Sequence, residues 1–200
     1  MAVSLTKGQK VSLSKEKAGL DRIVIGLGWD AKPAGEKKGF LSSIFSSTPN
    51  IDCDASVLML KDDKITSAQD IVYFGNLKHP SGSVQHLGDN LTGDGDGDDE
   101  QIIINLSSVP ADYNRLVFVV NIYSAVSRKQ HFGMIQNAFI RLVDSRDNSE
   151  VLRFNLTDDY SNMTAMIFGE VYRNEGEWKF NALGQGTQDP GLKELVARFS

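Results

Sequence analysis

Short runs of β-branched and aromatic residues, broken by turn residues at intervals of about 8–12 positions, limit this chain's fold more than any other feature. The expected strands are 3–5, 10–13, 22–29, 55–61, 71–74, 101–106, 116–123, 138–144, 151–155, 165–173 and 178–183. Some alternate: in residues 150–156, Val151, Arg153 and Asn155 fall on one face and Leu152, Phe154 and Leu156 on the other. Others, such as LVFVVNIY at 116–123, are apolar almost throughout and belong in mid-core. No long helical period interrupts them, so βαβ units give way to an all-β fold, a two-sheet β-sandwich or a barrel. Helix is expected only at the periphery. Pro190 precedes a short helix at 191–199, where Leu192, Leu195, Val196 and Phe199 follow helical spacing, and residues 127–136 form a short helix or loop.

One segment breaks the pattern differently. GDNLTGDGDGDDE, residues 88–100, holds six carboxylates, one Asn and four Gly, with no Lys or Arg. The whole chain carries a net charge of −5, so the remainder sums to about +1 and the acidity is local. Like charges at ~5 Å repel by roughly 3 kcal/mol per pair at an effective dielectric near 20. A solvated linker relieves this by extending, but this segment runs directly into the strand EQIIINL. A hard divalent cation supplies the missing counter-charge, and Ca²⁺ takes six to eight oxygen ligands. The segment contains no Cys or His, which disfavours Zn²⁺ and Cu⁺ and puts Mg²⁺ and Mn²⁺ behind Ca²⁺. In an extended trace Asp94, Asp96, Asp98 and Glu100 share one face and Asp99 points away, enough for two neighbouring ions. The EF-hand register fails from Asp94, which puts Asp99 at position 6 and Asn105 at 12, and from Asp89, which puts Leu91 and Gly93 at ligand positions. The alternating Gly-Asp run is present in one copy, whereas stacked Gly-rich calcium repeats need several.

A second carboxylate pair strengthens the metal reading. Asp52 and Asp54 stand two apart before a strand, on one face, with Cys53 turned to the other as a small buried hydrophobe. Asp30 closes the strand RIVIGLGW. Loops at one end of a sandwich converge, so Asp30, Asp52, Asp54 and the acidic loop are candidates for one multi-ion site.

Several classes recede on composition. The lone Cys53 rules out an intrachain disulfide framework. Basic residues pair up only at 37–38 and 128–129, which argues against nucleic acid. The first fifteen residues lack a signal peptide's apolar run, and no stretch reaches the length of a membrane-spanning helix, so a cytoplasmic location without membrane insertion is expected. His79, His86 and His131 fall in no triad signature. His86 is read as a surface histidine, with a supporting place behind the acidic loop as the alternative. The chain is read as a binding module rather than an enzyme; the alternative is a metal-dependent hydrolase of phosphoesters. Residues 31–50, rich in Pro, Gly and Ser, form a loop in which Phe40, Leu41, Ile44 and Phe45 either fold back on the sandwich or dock a partner or membrane surface.

GLGWD (26–30), DCDAS (52–56), GDNLTGDGDGDDE (88–100), AFIRLVD (138–144) and TAMIFGEVYR (164–173) together resemble the TerD-type tellurite-resistance and stress-protein family over nearly the whole chain. The resemblance implies one β-sandwich domain over residues 1–200, with a loop insertion at about 31–50. It implies calcium, about two ions, bound through acidic loops. It also implies a role in bacterial resistance to tellurite, other stresses, phage and colicins, alongside other proteins of that system including a membrane-bound partner. Carried over, the ligands are Asp52 and Asp54, then Asp89, Asn90, Asp96, Asp98, Asp99 and Glu100, with the carbonyls of Gly95 and Gly97. The family shows Leu between its paired Asp residues where this chain has Cys53, an exchange on the side facing away from the ion.

Overall fold

Alternation along the strands is resolved by two sheets whose apolar faces meet. The computed structural model describes residues 2–31, 51–88 and 97–200. Its elements in chain order are β1 Val3–Leu5, β2 Lys10–Ser12, α1 Leu13–Glu16, β3 Arg22–Ala31, β4 Cys53–Leu60, β5 Ile71–Val72, β6 Val84–His86, β7 Glu100–Asn105, β8 Arg115–Ile122, α2 Ala125–Arg128, β9 Ile135–Asp144, β10 Ser149–Asn155, β11 Ala165–Asn174, β12 Glu177–Thr187 and α3 Leu192–Ala197. One sheet runs β1-β10-β9-β3-β7-β6 and the other β2-β12-β11-β8-β4-β5. Every pairing is antiparallel except β1 on β10. The first sheet is called A below and the second B.

The main core lies between the sheets. Ile23, Ile25 and Leu27 of β3 and Ile102 and Ile104 of β7 meet Cys53, Ala55, Val57 and Met59 of β4 and Leu116, Phe118 and Val120 of β8. β8 is apolar on both faces because it is covered twice. Its Val117 and Val119 face outward with Leu58 and Leu60, under Leu195 of α3. The predicted stripe of that helix, Leu192, Leu195, Val196 and Phe199, packs here.

Differences from the expected pattern have local causes. β6 is three residues long, too short to show a period. Leu13 opens a helical turn and buries its side chain instead of ending a strand. The strand at 71 stops after Val72 because Tyr73 and Asn76 exchange backbone hydrogen bonds in a tight turn. Val151 joins the core with Leu152 and Phe154, since a register shift between Glu150 and Leu152 breaks strict alternation. Residues 127–136 divide among α2, a 3₁₀ turn at Phe132–Met134 and the start of β9. The apolar group at 40–45 lies outside the described residues. Among those described, no helix is long and apolar enough to cross a membrane.

Two buried polar groups tie down the far end of sheet A and the loop before β6. Asp144, fully buried, accepts from Arg146 at 2.7 Å and pairs with Lys17 at 2.9 Å. Asp70 accepts from the Tyr113 hydroxyl at 2.6 Å, and that hydroxyl stands 3.2 Å from Nε2 of buried His79. Burial, with the hydrogen bond to Asp70, pushes the Tyr113 phenol up to about 12.

The Arg146 guanidinium, seconded by Lys17, holds the Asp144 carboxyl well below the usual carboxylate range. A depressed folded value means that Asp144 contributes stability above its unfolded pKa of about 3.9 and loses it as pH falls toward the folded value. Urea unfolding across a pH series is expected to show stability falling on acidification below about pH 4, with that limb flatter in Asp144→Asn. An unchanged acid slope in the variant would contradict this assignment.

Candidate metal centre

The acidic segment enters the described structure at Gly97, and its last three carboxylates go three different ways. Asp98 lies on the outer face of sheet A. Its carboxylate accepts from Arg141 Nε at 2.6 Å and Nη2 at 3.0 Å, and from Gln101 Nε2 at 3.0 Å. Arg141 and Gln101 are the strand partners of Gly26 on β9 and β7, so the carboxylate sits directly over Gly26. A Cβ on Gly26 would stand 2.2 Å from it, and one on Gly28 would stand 2.8 Å from the Gly97 carbonyl. The two glycines of GLGWD therefore form the bed for the end of the acidic segment.

Asp99 continues the pairing of β7 with β3. Its N–H donates to the Leu27 carbonyl at 2.8 Å, and its carboxylate accepts from the Trp29 N–H at 2.7 Å. Glu100 turns into the sandwich and is 2 % exposed. Its Oε2 accepts from the Ala55 N–H of β4 at 2.8 Å and from His86 Nε2 at 3.1 Å. The same Nε2 stands 3.2 Å from the Ala55 carbonyl, while the Gly88 N–H donates to Nδ1 at 3.0 Å. Two acceptors at Nε2 and a donor at Nδ1 fix the tautomer with hydrogen on Nε2. His86 is thus a buried clamp between the sheets, and the surface reading of it fails.

The extended-trace expectation also fails for this stretch. Asp98 shares the outward side of Gln101, opposite Glu100, because the chain bends at Asp99 and regular alternation starts only with β7 at Glu100. The reading of the 52–54 stretch holds in part. Cys53 is buried in the core, and Asp54 lies on the outer face of sheet B opposite its strand partner Asn121, whose Nδ2 donates to it at 3.3 Å. Asp52 immediately precedes β4 and lies beside the end of β8, where the Tyr123 N–H donates to its carbonyl at 2.7 Å, and its carboxylate is 3.9 Å from Arg128. Asp30 accepts from Asn137 at 2.7 Å on the sheet A side. Asp89, Asn90, Gly95 and Asp96 lie outside the described residues.

Burial pushes the Cys53 thiol well up, and the charges of Asp54, Glu100, Asp52 and Asp99 push it further. Among the described residues, no group of three or more His, Cys, Asp or Glu side chains is closed enough to hold an ion by itself.

Two sandwiched sheets, tied together by Glu100 of β7 and Ala55 of β4, define the class as a β-sandwich protein. The TerD domain model matches residues 1–199, and the chain belongs to the TerD family. It is 55 % identical over 200 residues to stress response protein SCP2 of Bacillus subtilis, covering all of both chains. It is 44 % identical over 200 residues to tellurium resistance protein TerD of Serratia marcescens, covering all of this chain and 97 % of that one. The crystal structure of a TerD homologue from Streptomyces coelicolor shares the fold, with a TM-score of 0.60 and 21 % identity, over 86 % of this chain and 92 % of that one.

Gly26→Ala is expected to destabilise the protein by about 1–3 kcal/mol, because the new methyl displaces Asp98 from Arg141. Urea unfolding measures this, and a loss within about 0.5 kcal/mol would mean that the close approach is relieved without cost.

Proposed function

We propose that this chain is a calcium-binding stress-response module that acts in the cytoplasm and works by binding rather than by catalysis. The observation that carries the reading is the hydrogen bond from the Ala55 N–H to the Glu100 carboxylate at 2.8 Å, which sets the end of the acidic segment against the strand that bears Asp54. The carboxylates of Asp52, Asp54, Asp99 and Glu100 all act on Cys53, while its sulfur faces the core and both nitrogens of His86 are engaged. Oxygen alone remains for an ion, which suits a hard divalent cation. Of the sequence candidates, Asp98 is held by Arg141 and Glu100 by Ala55 and His86, so we assign them to shaping the site. Asp30, bonded to Asn137, is also left out of the ligand set. Asp52, Asp54 and Asp99 would then be ligands, completed by Asp89, Asn90, Asp96 and the carbonyls of Gly95 and Gly97, for about two ions. A bound cation supplies positive charge where the two acidic stretches meet. The ordered loop is then the surface offered to other proteins of the tellurite-resistance system, a membrane-bound one included.

An ion that binds only the folded state stabilises it by about 2.7 kcal/mol at 100 times Kd. Thermal melts should therefore show Tm rising on addition of millimolar Ca²⁺, with a smaller rise for Mg²⁺. Asp52→Asn should reduce the Ca²⁺ shift while leaving the ion-free Tm nearly unchanged. Equal melts with Ca²⁺ and with chelator would sink the proposal.

A further inference from the structure

The loop before β6 holds a hydrogen-bonded relay that the calcium reading does not use. The buried Asp70 carboxylate accepts from the Thr66 and Ser67 N–H groups and from the Thr66 hydroxyl, so its charge is met inside the protein. The Tyr113 hydroxyl donates its hydrogen to Asp70 at 2.6 Å and so can only accept from His79 Nε2, 3.2 Å away. On the other side of the ring, the Ser81 N–H donates to Nδ1 at 3.2 Å. Nε2 therefore carries the hydrogen and Nδ1 the lone pair. The Ser81 hydroxyl stands 2.7 Å from that lone pair.

Nδ1 has no hydrogen to give, so Ser81 Oγ is the donor in that bond. Oγ in turn accepts from the Ser83 hydroxyl at 2.7 Å and from the Ser83 N–H at 3.2 Å. A serine proton aimed at a neutral imidazole, with donors behind the oxygen, is the arrangement that makes an alcohol nucleophilic. His79 is buried, whereas Ser81 is exposed and open to a reagent. Burial holds the His79 imidazole below its ordinary value; Asp70 and Asp112 act against this and Lys61 with it. The imidazolium that forms when the ring takes a proton faces the Asp70 carboxylate at 3.7 Å.

The turn lacks the other half of a hydrolase. The N–H groups of Ser81, Gly82 and Ser83 point inward, to His79 Nδ1, the His79 carbonyl and Ser81 Oγ, so none of them serves an oxyanion hole. Only an electrophile with a good leaving group reacts at such a site, and the serine ester it leaves, a far poorer electrophile, persists. We infer that Ser81 is a covalent modification site for activated acyl donors, one acyl group per chain, with His79 as general base and Tyr113 and Asp70 as positioning residues. The Ser81 oxygen bonds to the acyl carbon, and the bond from that carbon to the leaving group breaks. The serine proton passes to His79 Nδ1 and then to solvent. The inference is independent of the calcium reading, because none of these four residues belongs to its ligand set.

The test is p-nitrophenyl acetate added to the full chain in chelator, followed by peptide mapping in a mass spectrometer. Hydroxylamine treatment separates serine esters from lysine amides. Ser161, also exposed but with its hydroxyl on the Asp159 carboxylate at 2.6 Å, is the internal control. Acetyl is expected on Ser81 at least about tenfold faster than on Ser161. The Ser81 rate should rise with pH as His79 loses its proton and level off by about pH 7. His79→Gln should bring Ser81 down to the Ser161 rate, and Tyr113→Phe, which keeps the ring, should lower it several-fold. The wild-type comparison and its pH profile decide the matter even where a variant fails to fold. Equal rates at the two serines, a Ser81 rate that keeps climbing with hydroxide past about pH 8, or indifference to both substitutions in folded protein would overturn the inference.

Discussion

The hydrogen bond from the Ala55 N–H to the Glu100 carboxylate joins the two sheets where β4 and β7 begin. β5 pairs with β4 only at Val57 and Leu58, because the chain turns away after Val72. Ala55 would otherwise present a buried amide and carbonyl to an apolar interior, a cost of several kcal/mol without partners. Glu100 takes the amide, and His86 donates to both Glu100 and the Ala55 carbonyl. Two side chains of sheet A thus replace a missing strand of sheet B. The price of that arrangement is a carboxylate in the core, tolerated because each contact is a charge-assisted or directed hydrogen bond.

The consequence reaches both acidic stretches. β7 begins at Glu100 and β4 at Cys53, so the clamp sets the end of the 88–100 segment against the strand that carries Asp54. His86 extends the tie to the other end of that segment, through the Gly88 N–H on Nδ1. On the opposite face of sheet A, Arg141 fixes Asp98 over Gly26. A segment whose charge would drive it outward is therefore held at both ends by neutralising or hydrogen-bonding partners.

Much of this was legible in the sequence, and the misses are physical. The long strands announced themselves through alternation, and LVFVVNIY through its lack of it. β6 is too short to carry a period. The family resemblance rested on motifs, and motifs contain GLGWD without saying why. Its glycines matter because β3 is flanked by Arg141 and Gln101, a register that exists only after folding. Extended geometry sorted Asp54 from Cys53 correctly, since β4 is regular there. It mis-sorted Asp98 and Glu100, since the chain bends at Asp99, between them, before the strand begins. His86 looked like surface because the partner that buries it, Ala55, is 31 residues away. Asn121 had no sequence signal at all: a lone polar residue in an apolar strand became notable only beside Asp54.

The central claim is that the acidic segment is half a site, completed by the strand to which Glu100 and His86 fasten it. Calorimetric titration of Ca²⁺ into the full chain and into a synthetic peptide of residues 86–102 tests it most directly. Saturable binding by the full chain, with the peptide weaker by about tenfold or more, is the predicted result, a gap of at least about 1.4 kcal/mol. Equal affinity in the peptide would show that the sandwich adds nothing to the segment and would contradict the account.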